Sequence, residues 1–97
     1  MGQVQPGEGA ALTASAWVTY INTHRIFNTR LFIGQISVNT NVYVSLCEVN
    51  RTNNSPFLGN ASMKVYNVVP YNGFADVRGE VDWDEDIRIR LSIYITP

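Results

Sequence analysis

The sequence predicts an all-β domain, an antiparallel β-sandwich of about seven strands, on three observations. Ile87-Arg88-Ile89-Arg90-Leu91-Ser92-Ile93-Tyr94-Ile95 carries a branched aliphatic at every odd position and a polar or amphipathic residue at every even one. That period of two belongs to a strand with one face in a core and the other in water. Asn72-Gly73 stands between two runs rich in valine and aromatic residues, a strong hairpin signal. No segment shows a helical period, and turn residues recur between the extended runs. A jelly-roll-like sandwich fits this pattern best, an immunoglobulin-like sandwich next. A five-stranded oligonucleotide-binding barrel comes third, weakened by the lack of a basic groove.

Composition narrows the class. A chain of 97 residues holds one domain with a thin margin of stability, which oligomerisation would widen. With 45% hydrophobic and 15% charged residues, it is too apolar to be globally disordered. Seven basic and eight acidic residues leave a net charge of -1 without a basic cluster, which argues against a nucleic-acid partner. Cys47 is the single cysteine, so neither an intrachain disulfide nor a thiolate metal cluster can form. No apolar run reaches membrane-spanning length, and no membrane partner is expected. The opening residues lack the basic and apolar regions of a signal peptide, and Pro6 spoils a myristoylation motif at Gly2.

In chain order, residues 1–10 form an arm and residues 11–97 the single domain. Met1 to Gly9 hold three glycines, two glutamines and a proline, a composition that cannot offset its own ordering entropy. The arm is expected to be flexible and to dock on a neighbouring subunit through Gln3, Val4 and Gln5. Leu12 to Asn22 is a strand with two partly apolar faces, ended by the turn-favouring Asn22-Thr23-His24. Arg25 to Val38 runs extended, with an interruption expected at Asn28-Thr29. Asn39-Thr40-Asn41 reads as a hairpin loop that pairs Val38 with Val42, Ile36 with Val44 and Gly34 with Leu46, Gly34 making room for the leucine. The open end of this hairpin is apolar on both faces through Leu31, Ile33, Cys47 and Val49, an expected subunit interface.

Arg51 to Asn60 is a polar loop with Phe57 and Leu58 as its anchor. Asn50 and Asn60 head glycosylation triplets, but such triplets are common by chance and no secretion signal accompanies them. Around Asn72-Gly73 a type I′ turn pairs Tyr71 with Phe74, Val68 with Val77 and Tyr66 with Gly79. Pro70 cannot donate a ladder bond, so one side of this hairpin belongs at a sheet edge. Asp82 to Asp86 forms the loop into the final strand.

Candidate chemistry is sparse, and no enzyme is expected. A hydrolytic triad needs a base, and His24 in its polar turn is the single histidine. Cys47 has no adjacent basic residue to activate it and reads as a small buried hydrophobe or a subunit contact. Asp82, Asp84 and Asp86 offer oxygen ligands suited to calcium, but the glycine and terminal glutamate of an EF-hand are absent. A solvated loop interacting with Arg88 and Arg90 is expected instead, with no cofactor. Trp17, Trp83, Tyr43 and Tyr71 are candidates for a stacking platform for carbohydrate.

The glycine-rich arm, the compact all-β domain and the last strand of alternating aliphatic and Arg/Tyr residues together resemble the small jelly-roll subunits of bacterial endospore appendages. That resemblance implies an arm that reaches a neighbouring subunit, strand-to-strand pairing into a fibre, and an extracellular or cell- or spore-surface location. Unlike the family's arm, residues 1 to 16 contain no cysteine, so cross-linking through the arm is not expected. The leading expectation is thus a non-enzymatic, self-assembling structural subunit, a homo-oligomer. A small carbohydrate-binding module and a viral capsid or decoration protein are the alternatives.

Overall fold

The structure, a computed structural model, describes residues 14–97. It has six strands: β1 (Ser15–Thr23), β2 (Arg25–Phe32), β3 (Asn41–Glu48), β4 (Ser62–Tyr71), β5 (Phe74–Asp82) and β6 (Ile87–Thr96). They form two three-stranded antiparallel sheets, ordered β1-β6-β3 and β2-β5-β4. The all-β, sandwich-like architecture is as the sequence predicts, with six strands in place of about seven and no helix among the described residues. The expected arm and the start of the first strand, Leu12 and Thr13, lie outside the described residues.

The aliphatics of β6 fix the interior. Ile89, Leu91, Ile93 and Ile95 are buried, and the intervening Arg88, Arg90, Ser92, Tyr94 and Thr96 turn to the outer face. Opposite them β5 contributes Ala75, Val77 and Val81, and β2 contributes Phe27 and Leu31. Each of these side chains larger than alanine stabilises the fold by about 1.5–3 kcal/mol when withdrawn from water, which favours β5 and β6, the strands with the most regular apolar faces, as the central strands of their sheets. β3 lines up Leu46 with Leu91, Val44 with Ile93 and Val42 with Ile95.

Those pairs replace the expected hairpin between Gly34 and Leu46. β2 and β3 lie in different sheets, joined by two consecutive turns closed by Ile36 N–H to Ile33 O at 3.0 Å and Thr40 N–H to Ser37 O at 3.0 Å. A hairpin would have paired two weak apolar faces with each other. Pairing each with a stronger one, β5 or β6, buries more, and Ile36 plugs the end of the core instead of continuing a strand. Gly34 makes room for nothing, since a Cβ there would meet no atom within 4 Å. β2 also runs through Asn28-Thr29 without interruption.

The Asn72-Gly73 hairpin forms, with Tyr71 opposite Phe74 and Val68 opposite Val77. Its turn differs from the type I′ expectation. Gly73 alone has positive φ, at 89°, as at the third position of a type II turn. Contacts from outside the hairpin hold this backbone: Ile33 N–H donates to Gly73 O at 3.1 Å and Gly73 N–H to Ile36 O at 2.7 Å. A bulge between Val65 and Asn67 then moves Val65 opposite Gly79 and leaves Tyr66 unpaired. The ring above Gly79 is that of Phe27, its neighbour on β2, not that of Tyr66. Pro70 lies on β4, an edge strand as expected. Gly73→Val should lower stability by about 1–2 kcal/mol through backbone strain alone, because nothing within 4 Å would obstruct the new side chain. A denaturation midpoint equal to wild type would show that the turn relaxes.

The loop between β3 and β4 is anchored by Val49, not by the expected Phe57 and Leu58. Val49 is buried, bridges Pro56 and donates its N–H to Arg88 O at 3.0 Å, whereas Leu58 is 101% exposed and Phe57 stands out beside it. Asn50 and Asn53 shape the loop by accepting bonds from the N–H groups of Thr52 and Ser55 at 2.7 and 2.9 Å, and Asn54 takes a positive φ of 60° that asparagine tolerates well.

Candidate assembly surface

With only three strands to a sheet, β1, β2, β3 and β4 are all edges, each with a row of backbone groups available to another strand. Their sequences protect them unequally. β4 carries Lys64, Pro70 and the bulge at Tyr66; β2 carries Arg25 and Arg30; β3 closes against β4 of the other sheet. β1, SAWVTYINT, has no charge, proline, glycine or bulge over nine residues. Among the described residues its outer edge has no strand partner.

Beside that edge the two sheets part. Trp17 points to the inner side of β1, opposite Ile93, yet remains 40% exposed. It shares a cleft of about 220 Å³ with Leu31, Phe32, Ile33 and Ile93, and Phe32 at the end of β2 is 77% exposed. The outer face of the β1-β6-β3 sheet is uncharged through its middle, where Val18, Ser92 and Ser45 form one row and Ala16, Tyr94 and Tyr43 the next. The two tyrosine rings lie 6.3 Å apart.

Of the expected interface residues, Leu31, Ile33 and Val49 are buried by the chain's own fold, so the apolar open-ended hairpin that was to expose them does not exist. Leu31 and Ile33 nevertheless line the cleft at Trp17. Cys47 is half-buried, on the outer face opposite Arg90. Gln3, Val4 and Gln5 lie outside the described residues.

The acidic loop is taken up by two side chains from the corner between β1 and β2. Arg25, whose φ of 59° lets the chain swing from one sheet to the other after a single intervening residue, donates to Asp82 Oδ1 at 3.0 Å and also to Asp84. His24 Nδ1 meets Asp86 Oδ1 at 2.5 Å. The three carboxylates are thus divided between two partners, and no group of three potential ligands converges among the described residues. Neither Arg88 nor Arg90 is the partner expected for this loop. Arg88 donates from Nε to Asn54 Oδ1 at 2.7 Å, and its guanidinium lies 5.3 Å from the centre of the Tyr20 ring.

The four aromatic candidates do not form one platform. Tyr43 and Tyr71 are on the outer faces of opposite sheets, Trp17 is in the edge cleft and Trp83 follows β5. The outer face of the β2-β5-β4 sheet has a different character from its counterpart. Its rows read Phe32, Phe74, Tyr71; then Arg30, Asp76, Val69; then Asn28, Arg78, Asn67. Arg30 donates twice to Asp76, from Nε at 2.7 Å and Nη2 at 3.1 Å, which holds the Asp76 carboxyl below its ordinary range and raises the guanidinium.

Comparison of the chain with protein-family models, curated proteins and solved structures gave no match.

Proposed function

We propose that this protein is a non-enzymatic structural subunit that self-assembles into a fibre or shell through strand addition at β1 and through its N-terminal arm. One observation carries the proposal: an uncharged, unbroken nine-residue edge strand stands beside a cleft that Trp17, Leu31, Phe32 and Ile33 line together with Arg30. A strand laid along β1 by another copy would satisfy the free backbone groups and cover Trp17 and Phe32 at once. If the contributing surface differs from β1 itself, the contact is heterologous and repeats without closing, the geometry of a filament.

The connectivity supports a reduced jelly roll as the scaffold. β1 adjoins β6, β2 adjoins β5 and β3 packs beside β4, the order produced when one long antiparallel pair is rolled over on itself. A full jelly roll has eight strands; here the Asn72-Gly73 turn joins β4 directly to β5, where two further strands would otherwise intervene.

Light scattering with negative-stain microscopy tests the proposal. The full chain should form species well above monomer mass. Val18→Lys places a charge on β1 at a position 54% exposed, and this should return the protein to monomer with the circular dichroism spectrum of the folded domain unchanged, its melting temperature falling no further than loss of assembly explains. Removing Met1 to Gly9 should weaken assembly with the fold intact. A full chain that stays monomeric at high concentration overturns the proposal.

A further inference from the structure

We infer that the outer face of the β2-β5-β4 sheet is a binding site for a short saccharide, with uronate residues preferred over neutral sugars. The inference does not rest on the assembly proposal, which concerns the β1 edge and the cleft beside it.

A depression of about 430 Å³ runs along this face, lined by Asn28, Arg30, Asn67, Tyr71, Asp76 and Arg78, within the size range of small-ligand sites. Its chemistry is unlike that of an assembly surface. A sugar ring presents pairs of neighbouring hydroxyls at its edge and an apolar C–H face, and so asks for planar polar groups beside an aromatic ring. Both are here. Tyr71 stacks one face on Phe74, with centroids 4.9 Å apart and planes inclined by 23°, and remains 40% exposed where it lines the depression. The Arg30 guanidinium also lies over the Phe74 ring, 4.3 Å from its centre.

The polar groups are held in place before any ligand arrives. Asp76 locks Arg30 through two bonds, and Asn28 Oδ1 accepts from Arg78 Nε at 2.8 Å. That bond orients the Arg78 fork and leaves the Nη groups and the Asn28 amide N–H donors to point at something else. Preorganisation of this kind lowers the entropic cost of binding. Tyr71 and the Asn28-Arg78-Asn67 row are two rows apart, roughly 13 Å at the rise of a strand, so the site would span two to three sugar units.

Charge selects among saccharides. Arg30 is neutralised by Asp76, while Arg78 bonds to an amide and to no carboxylate among the described residues. A guanidinium with a free end-on fork matches a carboxylate in two-point geometry. Sugar acids supply that group at a fixed distance from a stackable ring face.

Isothermal titration of the full chain tests the assignment, using tetragalacturonate, neutral maltotetraose and acetate as probes. Tetragalacturonate should bind about tenfold more tightly than maltotetraose, the effect of one charge-assisted hydrogen bond. Arg78→Gln should erase that difference. Tyr71→Ala should weaken tetragalacturonate about tenfold; Arg78→Gln should keep the wild-type melting temperature because the residue is exposed, whereas Tyr71→Ala gives up the stack on Phe74 and should lower it modestly while leaving the fold intact. Repeating the titration with Val18→Lys separates the site from assembly, since binding should survive there unchanged. No saturable binding of either oligosaccharide overturns the inference, as does acetate binding as tightly as tetragalacturonate. Equal affinity for acidic and neutral oligosaccharides overturns the role given to Arg78.

Discussion

Gly79→Ala should destabilise the domain by about 2–3 kcal/mol, the upper range for forcing atoms into a packed interior. Gly79 is buried in β5, the central strand of its sheet, and a Cβ there would stand 2.7 Å from Phe27 Cζ and 2.8 Å from the Lys64 carbonyl oxygen. The ring could retreat only by giving up its own place in the core. The carbonyl belongs to the backbone of β4 at the point where the ladder shifts register, and it cannot swing aside as a flexible side chain would. Gly34→Ala is the matched control, with no atom within 4 Å of its new methyl, and should leave stability unchanged. Urea denaturation followed by circular dichroism distinguishes the two. Equal midpoints would mean that Phe27 and β4 do not close over Gly79 as described.

Leu91→Ala should be the more damaging substitution, at about 3–5 kcal/mol, which for a domain of this size consumes much of its total stability. Leu91 is 0% exposed at the middle of β6, flanked in its sheet by Thr19 and Leu46 and facing the other sheet's apolar residues. Truncation leaves a void whose neighbours along and beside the strand, Ile89, Ile93 and Thr19, are β-branched and have little rotameric freedom to fill it. Ser92→Ala, one residue on, faces outward between Val18 and Ser45 and should change the melting temperature little. If Ser92→Ala lowered the melting temperature as far as Leu91→Ala, the outer face of β6 would be covered in the folded protein.

Much of the fold was legible because β6 and the Asn72-Gly73 hairpin are locally specified. Alternation fixes which face of β6 is buried whatever its neighbours are, and a two-residue turn fixes its own register up to the first irregularity. That irregularity, the bulge at Tyr66, carries no sequence mark, and from there the pairing at Gly79 was misassigned by one residue. The Gly34–Leu46 hairpin failed for a more general reason. Agreement of apolar faces across a loop is necessary for pairing but not sufficient, because the same faces can be matched to any strand of suitable alternation, and β5 and β6 were the better partners. Of the candidate surfaces, the cleft at Trp17 depends on β1 and β6 of one sheet and β2 of the other, and the polar depression draws on β2, β4 and β5 at once. Neither could be read from a single stretch, although Tyr71 was singled out for its ring.

The corner at His24 and Arg25 bears on how the chain reaches this arrangement. β1 obtains its ladder bonds from β6, so Trp17 waits for Ile93 and Ser15 for Ile95, whereas β4 and β5 meet across a turn of two residues. Closing so long a loop is entropically slow compared with zipping a hairpin. The side-chain contacts from Arg25 and His24 to Asp82, Asp84 and Asp86 join the two sheet crossings at one end, and so bring the two distant strands to a common starting point. The exposed rim of β1 is therefore expected to order late in folding. In the assembly proposed for β1, a nascent chain would offer no completed edge to its neighbours until its own hydrophobic interior is sealed.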